Sequence, residues 1–225
     1  MIPFTCVFIA GYYLFPIKSH SHLLSHETLH FLGISVACWC AACMLVITYP
    51  RIGSFLAHLQ VFAYFSSFIT LLPFFWSVVI LRTELVNSDP YHGGKLVLFV
   101  CSIVWTADSA AYFFGRMFGR YQVAPSISPN KTIEGLIGGL VSAAIMGYLI
   151  ARWFNVYFIS DGLMLTTVLL TTVFSIFGDL FESLFKRVSG IKDSGDIIPG
   201  HGGLLDRIDS LTAAFPIFTF LYFLY

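Results

Sequence analysis

Residues 178–209 read GDLFESLFKRVSGIKDSGDIIPGHGGLLDRID, and they interrupt a series of hydrophobic segments. This stretch holds ten of the chain's 24 charged residues. A charged side chain at the centre of a bilayer costs about 2.5–3.5 kcal/mol, so ten of them would cost on the order of 30 kcal/mol. Lipid therefore cannot surround this stretch, which must lie at an aqueous face or line a polar cavity. Its acidic, basic, glycine and histidine residues make it the candidate site of chemistry.

The rest of the chain is strongly apolar. Hydrophobic residues make up 57% of the 225 residues and charged residues 11%, whereas soluble domains average about 25% charged residues. The mean hydropathy is +0.83. This composition indicates a multi-span membrane protein with a single domain, 1–225, because no hydrophilic stretch is long enough for a second one. The absence of a basic tract outside the loops argues against nucleic-acid binding.

Hydrophobic segments of the required length recur along the chain. A transmembrane helix needs about 20 mostly apolar residues, and the sequence lacks the alternating segments typical of a β-barrel. We therefore predict an all-α, polytopic helical bundle with about seven transmembrane helices. The predicted helices are 2–17, 31–49, 61–81, 96–114, 133–150, 163–178 and 210–225. Residues 1–17 contain no Lys or Arg, so we expect no cleavable signal peptide.

The basic residues of alternate loops predict the orientation, because loops rich in Lys and Arg stay in the cytoplasm. One set of loops holds eight: Arg51, Arg116, Arg120, Lys131, Lys186, Arg187, Lys192 and Arg207. The other set holds four: Lys18, Arg82, Lys95 and Arg152. The first set is therefore predicted to be cytoplasmic, and with it both polar, glycine-rich loops, 115–132 and 179–209.

Carboxylates in the longer loop have a spacing that suits a metal site. Asp179 and Glu182 lie three residues apart, on one face of a helix if the preceding span continues. Asp206 and Asp209 have the same spacing at the start of the last predicted helix. Hard cations such as Mg²⁺ bind carboxylate oxygens together with phosphate oxygens and water. The pattern therefore favours a metal–phosphate site.

Basic residues and glycines of the same loop are suited to phosphate. Four cations could pair with a triphosphate or a lipid phosphate; they are Lys186, Arg187, Lys192 and Arg207. The run Pro-Gly-His-Gly-Gly at 199–203 lets backbone N–H groups approach a phosphate closely, since glycine has no Cβ. The alternative is a solvated cytoplasmic loop whose charges only set the topology.

A second polar region spans 105–135. Asp108 lies inside an apolar run, where an ionisable group is a functional candidate; a structural hydrogen bond between helices is the alternative. Arg116 and Arg120 lie four residues apart and could equally be simple anchors at the cytoplasmic face. The run Ser-Ile-Ser-Pro-Asn-Lys-Thr at 126–132 combines hydroxyls with a lysine and resembles a phosphate-binding turn.

Taken together, these segments resemble the phosphatidate cytidylyltransferase (CDP-diacylglycerol synthase) family of bacteria. The chain matches the family signature over residues 183–209 without a mismatch. The matching residues are Ser183, Lys186, Arg187, Lys192, Asp193, Pro199, His201, Gly202, Gly203, Asp206, Arg207 and Asp209. Gly-Asp at 178–179, Ala-Asp-Ser-Ala-Ala-Tyr at 107–112 and Ser-Pro-Asn-Lys-Thr at 128–132 also resemble the family. The resemblance covers about 100–225.

The resemblance implies roles for individual residues. It places the metal-binding aspartates on Asp179 and Asp206. The implied catalytic set is Asp179, Asp206, Lys186, Arg187, Lys192, Asp193, His201 and Asp209. The implied substrate-binding set is Asp108, Ser128, Lys131, Gly202, Gly203 and Arg207. Within these sets, the lysines, Arg187 and His201 are expected to contact phosphate or cytidine triphosphate (CTP).

The resemblance also implies a reaction, in which phosphatidate and CTP give CDP-diacylglycerol and pyrophosphate. Mg²⁺ is the implied cofactor, with K⁺ as a candidate second cation. The expected partners are CTP, phosphatidate and membrane lipid, and a homodimer is left open. The expected location is the bacterial inner membrane, with the active site facing the cytoplasm. Family members usually carry further N-terminal spans, so we expect residue 1 to be an internal start or the chain to be a shortened variant.

Two other functions stay open at this point. A CTP-dependent kinase for a polyprenol or phytol would use the same cation and the same basic groups. An ion-coupled transporter would also place an ionisable residue such as Asp108 in the membrane, beside helix breaks. A transporter further predicts paired inverted repeats, and none is visible in the sequence.

Overall fold

The computed structural model describes residues 26–56, 60–85, 89–190, 203 and 205–225. This part of the chain forms a helical bundle with one small β-hairpin. The helices are α1 (His26–Leu56), α2 (Gln60–Thr83), α3 (His92–Phe118), α4 (Ile133–Phe154), α5 (Asp161–Val188) and α6 (Asp209–Leu224). The antiparallel strands are β1 (Gln122–Ala124) and β2 (Ser128–Thr132), and a 3-10 turn, Leu205–Arg207, precedes α6.

Four helices of the described part are long and apolar enough to cross a membrane, so the chain is a membrane protein. They are His26–Tyr49 within α1, and the whole of α3, α4 and α5. The predicted helical membrane fold is confirmed at this level, but the predicted count of about seven spans is not. Helix α6 has only 16 residues, and the predicted helix 2–17 lies outside the described residues.

Two features at one end of the bundle differ from the sequence expectation. The structure adds the β1–β2 hairpin within the predicted loop 115–132, which an all-α fold does not contain. The predicted loop 179–209 is helical as far as Val188. Helix α5 continues because Leu180, Phe181 and Leu184 repeat at helical spacing and are all buried, which extends its apolar face.

Helices α3 and α4 form a tightly packed antiparallel pair. The face that α4 buries consists of small residues spaced by four, namely Gly135, Gly139, Ala143, Gly147 and Ala151. A Cβ added at Gly135 would lie 2.6 Å from the carbonyl oxygen of Ala111 on α3. Small residues let helix backbones approach closely in a membrane, where no hydrophobic force draws helices together.

The antiparallel order gives the bundle two ends. The first, here called the site end, carries the hairpin, the last turns of α5 and the start of α6. The opposite end carries the exposed ion pair between Arg152 and Asp161, where α4 ends and α5 begins. A buried apolar cluster packs beneath the site end; its members include Trp39, Ile127, Leu180, Leu184 and Ala213. This cluster holds the hairpin, α1, α5 and α6 together.

Candidate active site

The first ion pair of the site joins the hairpin to α5. Lys131, near the end of β2, places its Nζ 2.6 Å from Oδ2 of Asp179. The other carboxylate oxygen of Asp179 accepts a hydrogen bond of 3.2 Å from the hydroxyl of Ser183, one helical turn further on. The chain thus brings together two residues that are 48 positions apart in sequence and that both resemble family motifs.

The second ion pair joins α5 to the turn before α6. Lys186 Nζ donates to Oδ1 of Asp206 at 2.8 Å, and only 16% of the lysine side chain and 12% of the aspartate side chain are exposed. Oδ2 of Asp206 accepts a hydrogen bond of 2.8 Å from the backbone N–H of Gly203. Lys186 also lies 3.6 Å from Oε1 of Glu182 on the preceding turn. The largely buried ammonium group of Lys186 therefore lies close to two carboxylates.

The hairpin is fixed to α5 by a polar contact and by packing. Arg187 donates through Nε to the backbone carbonyl oxygen of Ile127 at 3.1 Å. The side chain of Ile127 is only 1% exposed and packs in the same cluster as Leu180 and Leu184. This attachment holds Lys131 over Asp179, because Ile127 and Lys131 lie on the same short hairpin.

Close packing of α5 on α6 brings further carboxylates to the same place. A Cβ added at Gly178 would lie 2.9 Å from the carbonyl oxygen of Asp209, so only glycine permits this approach. Asp209 interacts electrostatically with Asp179 and Glu182, and Asp108 on α3 interacts with Asp179 and Lys131. We call these five carboxylates the acidic cluster: Asp108, Asp179, Glu182, Asp206 and Asp209.

Two members of the acidic cluster lie well inside their helices. Asp179 precedes the last residue of α5 by nine positions, or about 14 Å at 1.5 Å per residue. Asp108 precedes the last residue of α3 by ten positions, or about 15 Å. The acidic cluster therefore lines a recess between α3, α5 and α6, and even Asp206, in the turn before α6, has a side chain that is only 12% exposed, unlike the residues of a fully solvated loop.

The charge of the cluster fits bound cations. Five carboxylates meet two lysines, Lys131 and Lys186, in the described part of the site, and this surplus of negative charge is costly at low dielectric unless cations or protons offset it. Asp179 and Asp206 could hold Mg²⁺. No three Asp, Glu, His or Cys side chains form a ready-made metal cage among the described residues. Mg²⁺ usually takes one or two carboxylates and completes its shell with water and substrate phosphates.

Most of the sequence-predicted site residues that are described meet at this recess. Asp108, Lys131, Asp179, Lys186 and Asp209 do so, as do Asp206 and Gly203 through the contacts given above. Ser128 pairs with Ala124 at the start of β2, and Arg207 is exposed in the 3-10 turn. Arg187 is engaged by the hairpin. The remaining predicted residues, Lys192, Asp193, His201 and Gly202, lie outside the described residues.

Glu182 and Trp39 lie in the site region but carry no sequence motif, and they are absent from the sets that the sequence predicts. Glu182 stands out in the sequence only for its spacing from Asp179, yet it lies beside Lys186 and Asp209. Trp39 on α1 lines the same recess, and no motif marks it. The signal for Glu182 is its position four residues before Lys186, which in a continuing helix predicts a side-chain pair.

Comparison with known proteins decides the family. The sequence profile of the cytidylyltransferase family matches residues 2–225. The chain belongs to the cytidylyltransferase family. The resemblance found in the sequence motifs is thereby confirmed, and the acidic cluster is the region of this family member that carries those motifs.

Curated relatives of this chain are named phosphatidate cytidylyltransferases. The protein of that name from Haemophilus influenzae is 46% identical over 193 residues, which cover 84% of this chain and 67% of the relative. The one from Pseudomonas aeruginosa is 39% identical over 189 residues, with the same coverage. The one from Bacillus subtilis is 43% identical over 141 residues, or 63% of this chain and 51% of the relative. The chain thus spans between half and two thirds of these relatives.

Proposed function

We propose that the protein transfers CMP from CTP to phosphatidate and so forms CDP-diacylglycerol and pyrophosphate in the bacterial inner membrane. The proposal rests on the membership of the cytidylyltransferase family and on the names of the curated relatives. The observation that carries it is the meeting of two lysine–aspartate pairs, Lys131–Asp179 and Lys186–Asp206, in one membrane recess. Such a site can gather anions from water on one side and from lipid on the other.

The chemistry requires two anions to meet. A phosphate oxygen of phosphatidate attacks the α-phosphorus of CTP, the bond from that phosphorus to the bridging oxygen of the β-phosphate breaks, and pyrophosphate leaves with the electron pair. The attacking oxygen is already ionised, so the step needs no general base. Lys131 and Lys186 would offset the charge of the phosphates and orient them for in-line displacement.

A bound divalent cation fits this scheme. We propose Mg²⁺ on Asp179 and Asp206, with K⁺ as a candidate second cation in the acidic cluster. When bound, Mg²⁺ supplies Lewis-acid stabilisation of the transferred phosphoryl group and of the leaving pyrophosphate. Each aspartate already has a lysine partner, so the lysines would be set free for the substrate phosphates as metal takes up the carboxylates.

The active site would face the cytoplasm, where CTP is found. The described basic residues at the site end are Arg116, Arg120, Lys131, Lys186, Arg187 and Arg207. Those at the opposite end are Arg82, Lys95 and Arg152. Loops and helix ends rich in Lys and Arg stay in the cytoplasm, which supports this orientation.

Position-specific labelling of CTP tests the function against its alternatives. With purified protein, phosphatidate and Mg²⁺, label on the α-phosphate should enter the organic-extractable product, and label on the γ-phosphate should appear in pyrophosphate. Transfer of the γ-label into lipid, especially into a polyprenol, would establish a kinase instead. If neither label moved in a folded sample, the transporter alternative would be favoured.

A further inference from the structure

A small cavity lies beside the acidic cluster, between α1, α2, α5 and α6, and its volume is about 70 Å³. This is several times the roughly 10–15 Å³ that one water needs. Its walls are mainly apolar, with Trp39, Leu71, Phe181 and Phe185 among them, and Glu182 and Asp209 line it where it meets the cluster. The cavity is therefore a mainly apolar space that borders the acidic cluster.

Helix α5 separates this cavity from the lysine-bearing side of the site. The residues that face the hairpin and the turn before α6 are Asp179, Ser183, Lys186 and Arg187, here called the polar stripe. The residues that line the cavity are Gly178, Phe181, Glu182 and Phe185, here called the cavity stripe. At 3.6 residues per turn the centres of the two stripes are about 135° apart around the helix. The acidic cluster can thus be reached from two sides that differ in chemistry.

The charges assign the two substrates to these two sides. Both lysines of the recess pair with aspartates, Lys131 with Asp179 and Lys186 with Asp206, so the polar stripe suits phosphates. The ionisable groups that line the cavity are the Glu182 and Asp209 carboxyls, which supply no positive charge to hold a phosphate. Its apolar walls favour an uncharged group with attached hydrocarbon.

Two residues in the cavity wall have buried polar atoms without a hydrogen-bond partner among the described residues: Trp39 through its indole nitrogen, and Glu182 through both carboxylate oxygens. Trp39 is only 2% exposed, and its indole N–H has no hydrogen-bond acceptor among the described residues. Its ring is held edge-on by Phe181, with ring centroids 5.8 Å apart. A buried N–H without an acceptor is costly, and an indole can only donate. The missing partner of Trp39 is therefore a hydrogen-bond acceptor.

We infer that this cavity binds the glycerol-ester region of the lipid substrate, and that the indole N–H of Trp39 donates to an ester carbonyl. This inference rests on the proposed function and deepens it by assigning the lipid side of the site. An ester carbonyl is a neutral acceptor attached to hydrocarbon, which is the combination that Trp39, the apolar walls and the carboxylates select. The lipid phosphate then reaches the polar stripe past Glu182, next to Lys186.

The inference makes Trp39 a specificity-determining residue for ester-linked over ether-linked lipid. Phosphatidate with two acyl chains should be used with a kcat/KM about threefold to tenfold above that of a dialkyl ether analogue of equal chain length, the value of one net hydrogen bond. Trp39→Phe should lower kcat/KM for the diacyl lipid by about the same factor and leave the ether lipid nearly unchanged. The matched control is Trp153→Phe, at an exposed residue of the opposite end, which should keep the wild-type preference.

A second variant covers the case in which Trp39→Phe loses all activity. Leu71→Trp narrows the cavity and should raise KM for phosphatidate several-fold without changing KM for CTP. CTP binding by equilibrium dialysis verifies that each variant is folded.

The inference is overturned if wild-type protein uses both lipids equally, if Trp39→Phe keeps the preference, or if Leu71→Trp affects CTP alone. Absence of CMP transfer by wild-type protein with diacyl phosphatidate would instead contradict the proposed function. In that case a labelled ester lipid should still bind better than its ether analogue in wild-type protein but not in Trp39→Phe, and equal binding would overturn the inference.

Discussion

Lys186 shows why the charged residues of the recess are better explained by function than by stability. Its ammonium lies 2.8 Å from Asp206 and 3.6 Å from Glu182, with little exposure to solvent. Moving such charges out of water costs several kcal/mol per ion, and their attraction often only offsets that cost. Apolar residues of similar volume would hold α5 to the following turn as well. Charges in this position are instead suited to bind charged ligands.

Asparagine at Asp179 or Asp206 should remove most of the activity. Each change preserves the shape of the side chain but removes an anionic ligand and leaves a lysine without its partner. A loss of about 3 kcal/mol in transition-state stabilisation corresponds to a rate more than about 100-fold lower. Initial rates of CMP transfer at several Mg²⁺ concentrations measure the effect.

Asp161→Asn is the matched control for these two variants. Asp161 forms an ion pair with Arg152 at 2.9 Å, but both side chains are more than 60% exposed at the opposite end. Exposed pairs contribute about 0–1 kcal/mol, so this variant should behave like wild type. Retention of more than about half the activity by Asp179→Asn or Asp206→Asn would show that the metal assignment is wrong.

The site residues differ in how far the sequence reveals them. Lys186 and Asp206 belong to a dense signature and Asp179 to the Gly-Asp pair just before it, so residue types and spacing alone mark them as candidates. Trp39 has no such signal, because its role depends on which helix packs against α5, and one sequence does not determine helix neighbours. Glu182 lies between these cases, since its interpretation depends on whether α5 continues past Gly178.

At the scale of elements, the α3–α4 pair determines where the hairpin can lie. The two helices approach so closely that the backbone of Ala111 occupies the space that a side chain at position 135 would need. The hydroxyl of Thr132 accepts a hydrogen bond from the N–H of Gly135 and so caps the start of α4. Thr132 directly follows Lys131. The spacing of the helices is thereby coupled to the position of Lys131 in the candidate site.

Alanine at Gly135 should therefore destabilise the protein and reduce its activity. The added Cβ would meet the carbonyl oxygen of Ala111 at 2.6 Å, and relief requires the helices to separate. Overpacking of this kind costs about 1–3 kcal/mol. The loss of stability is measured by heating the protein in detergent and recording, by size-exclusion chromatography, the temperature at which the monodisperse peak disappears.

Gly94 on α3 offers a control for the same substitution. No atom lies within 4 Å of a Cβ added there, and alanine is the better helix former by up to about 1 kcal/mol. Gly94→Ala should match or slightly exceed the wild-type stability. A Gly135→Ala protein as stable as Gly94→Ala would contradict the close approach of α3 and α4.

The elements themselves are unevenly predictable from the sequence. The apolar run at 133–150 predicts a helix, and the structure begins it at Ile133, because Thr132 supplies the cap. The hairpin is not predictable from the sequence, since β1 and β2 have only three and five residues and lack the alternation of apolar and polar residues that is typical of strands. Tertiary contacts, among them Arg187 with Ile127, stabilise it. The local sequence does not show which distant residues contact the hairpin.

At the scale of the whole molecule, the recess lies at the end of the bundle that carries more of the described charged residues. The site end holds lysines and arginines close to the acidic cluster. Exposed aromatic residues lie at both ends, with Tyr121 at the site end and Trp153 and Tyr157 at the opposite end, as is typical of membrane interfaces. A water-soluble nucleotide and a lipid can meet only where an aqueous opening reaches the depth of the carboxylates. The orientation of the bundle therefore decides whether the proposed reaction has access to CTP.

Cysteine accessibility tests that orientation directly. In a background from which the five native cysteines have been removed, Ser189→Cys places a thiol at the exposed end of α5, beside the site. Tyr157→Cys places one at the opposite end, where the native side chain is 77% exposed. With the outer membrane permeabilised and the inner membrane intact, a membrane-impermeant maleimide should label the thiol at 157 and not the thiol at 189. Detergent should allow both to react, which confirms that each thiol is reactive. Labelling of the thiol at 189 alone in intact cells would reverse the orientation, place the acidic cluster on the side without CTP, and contradict both the Lys/Arg count and the proposed reaction.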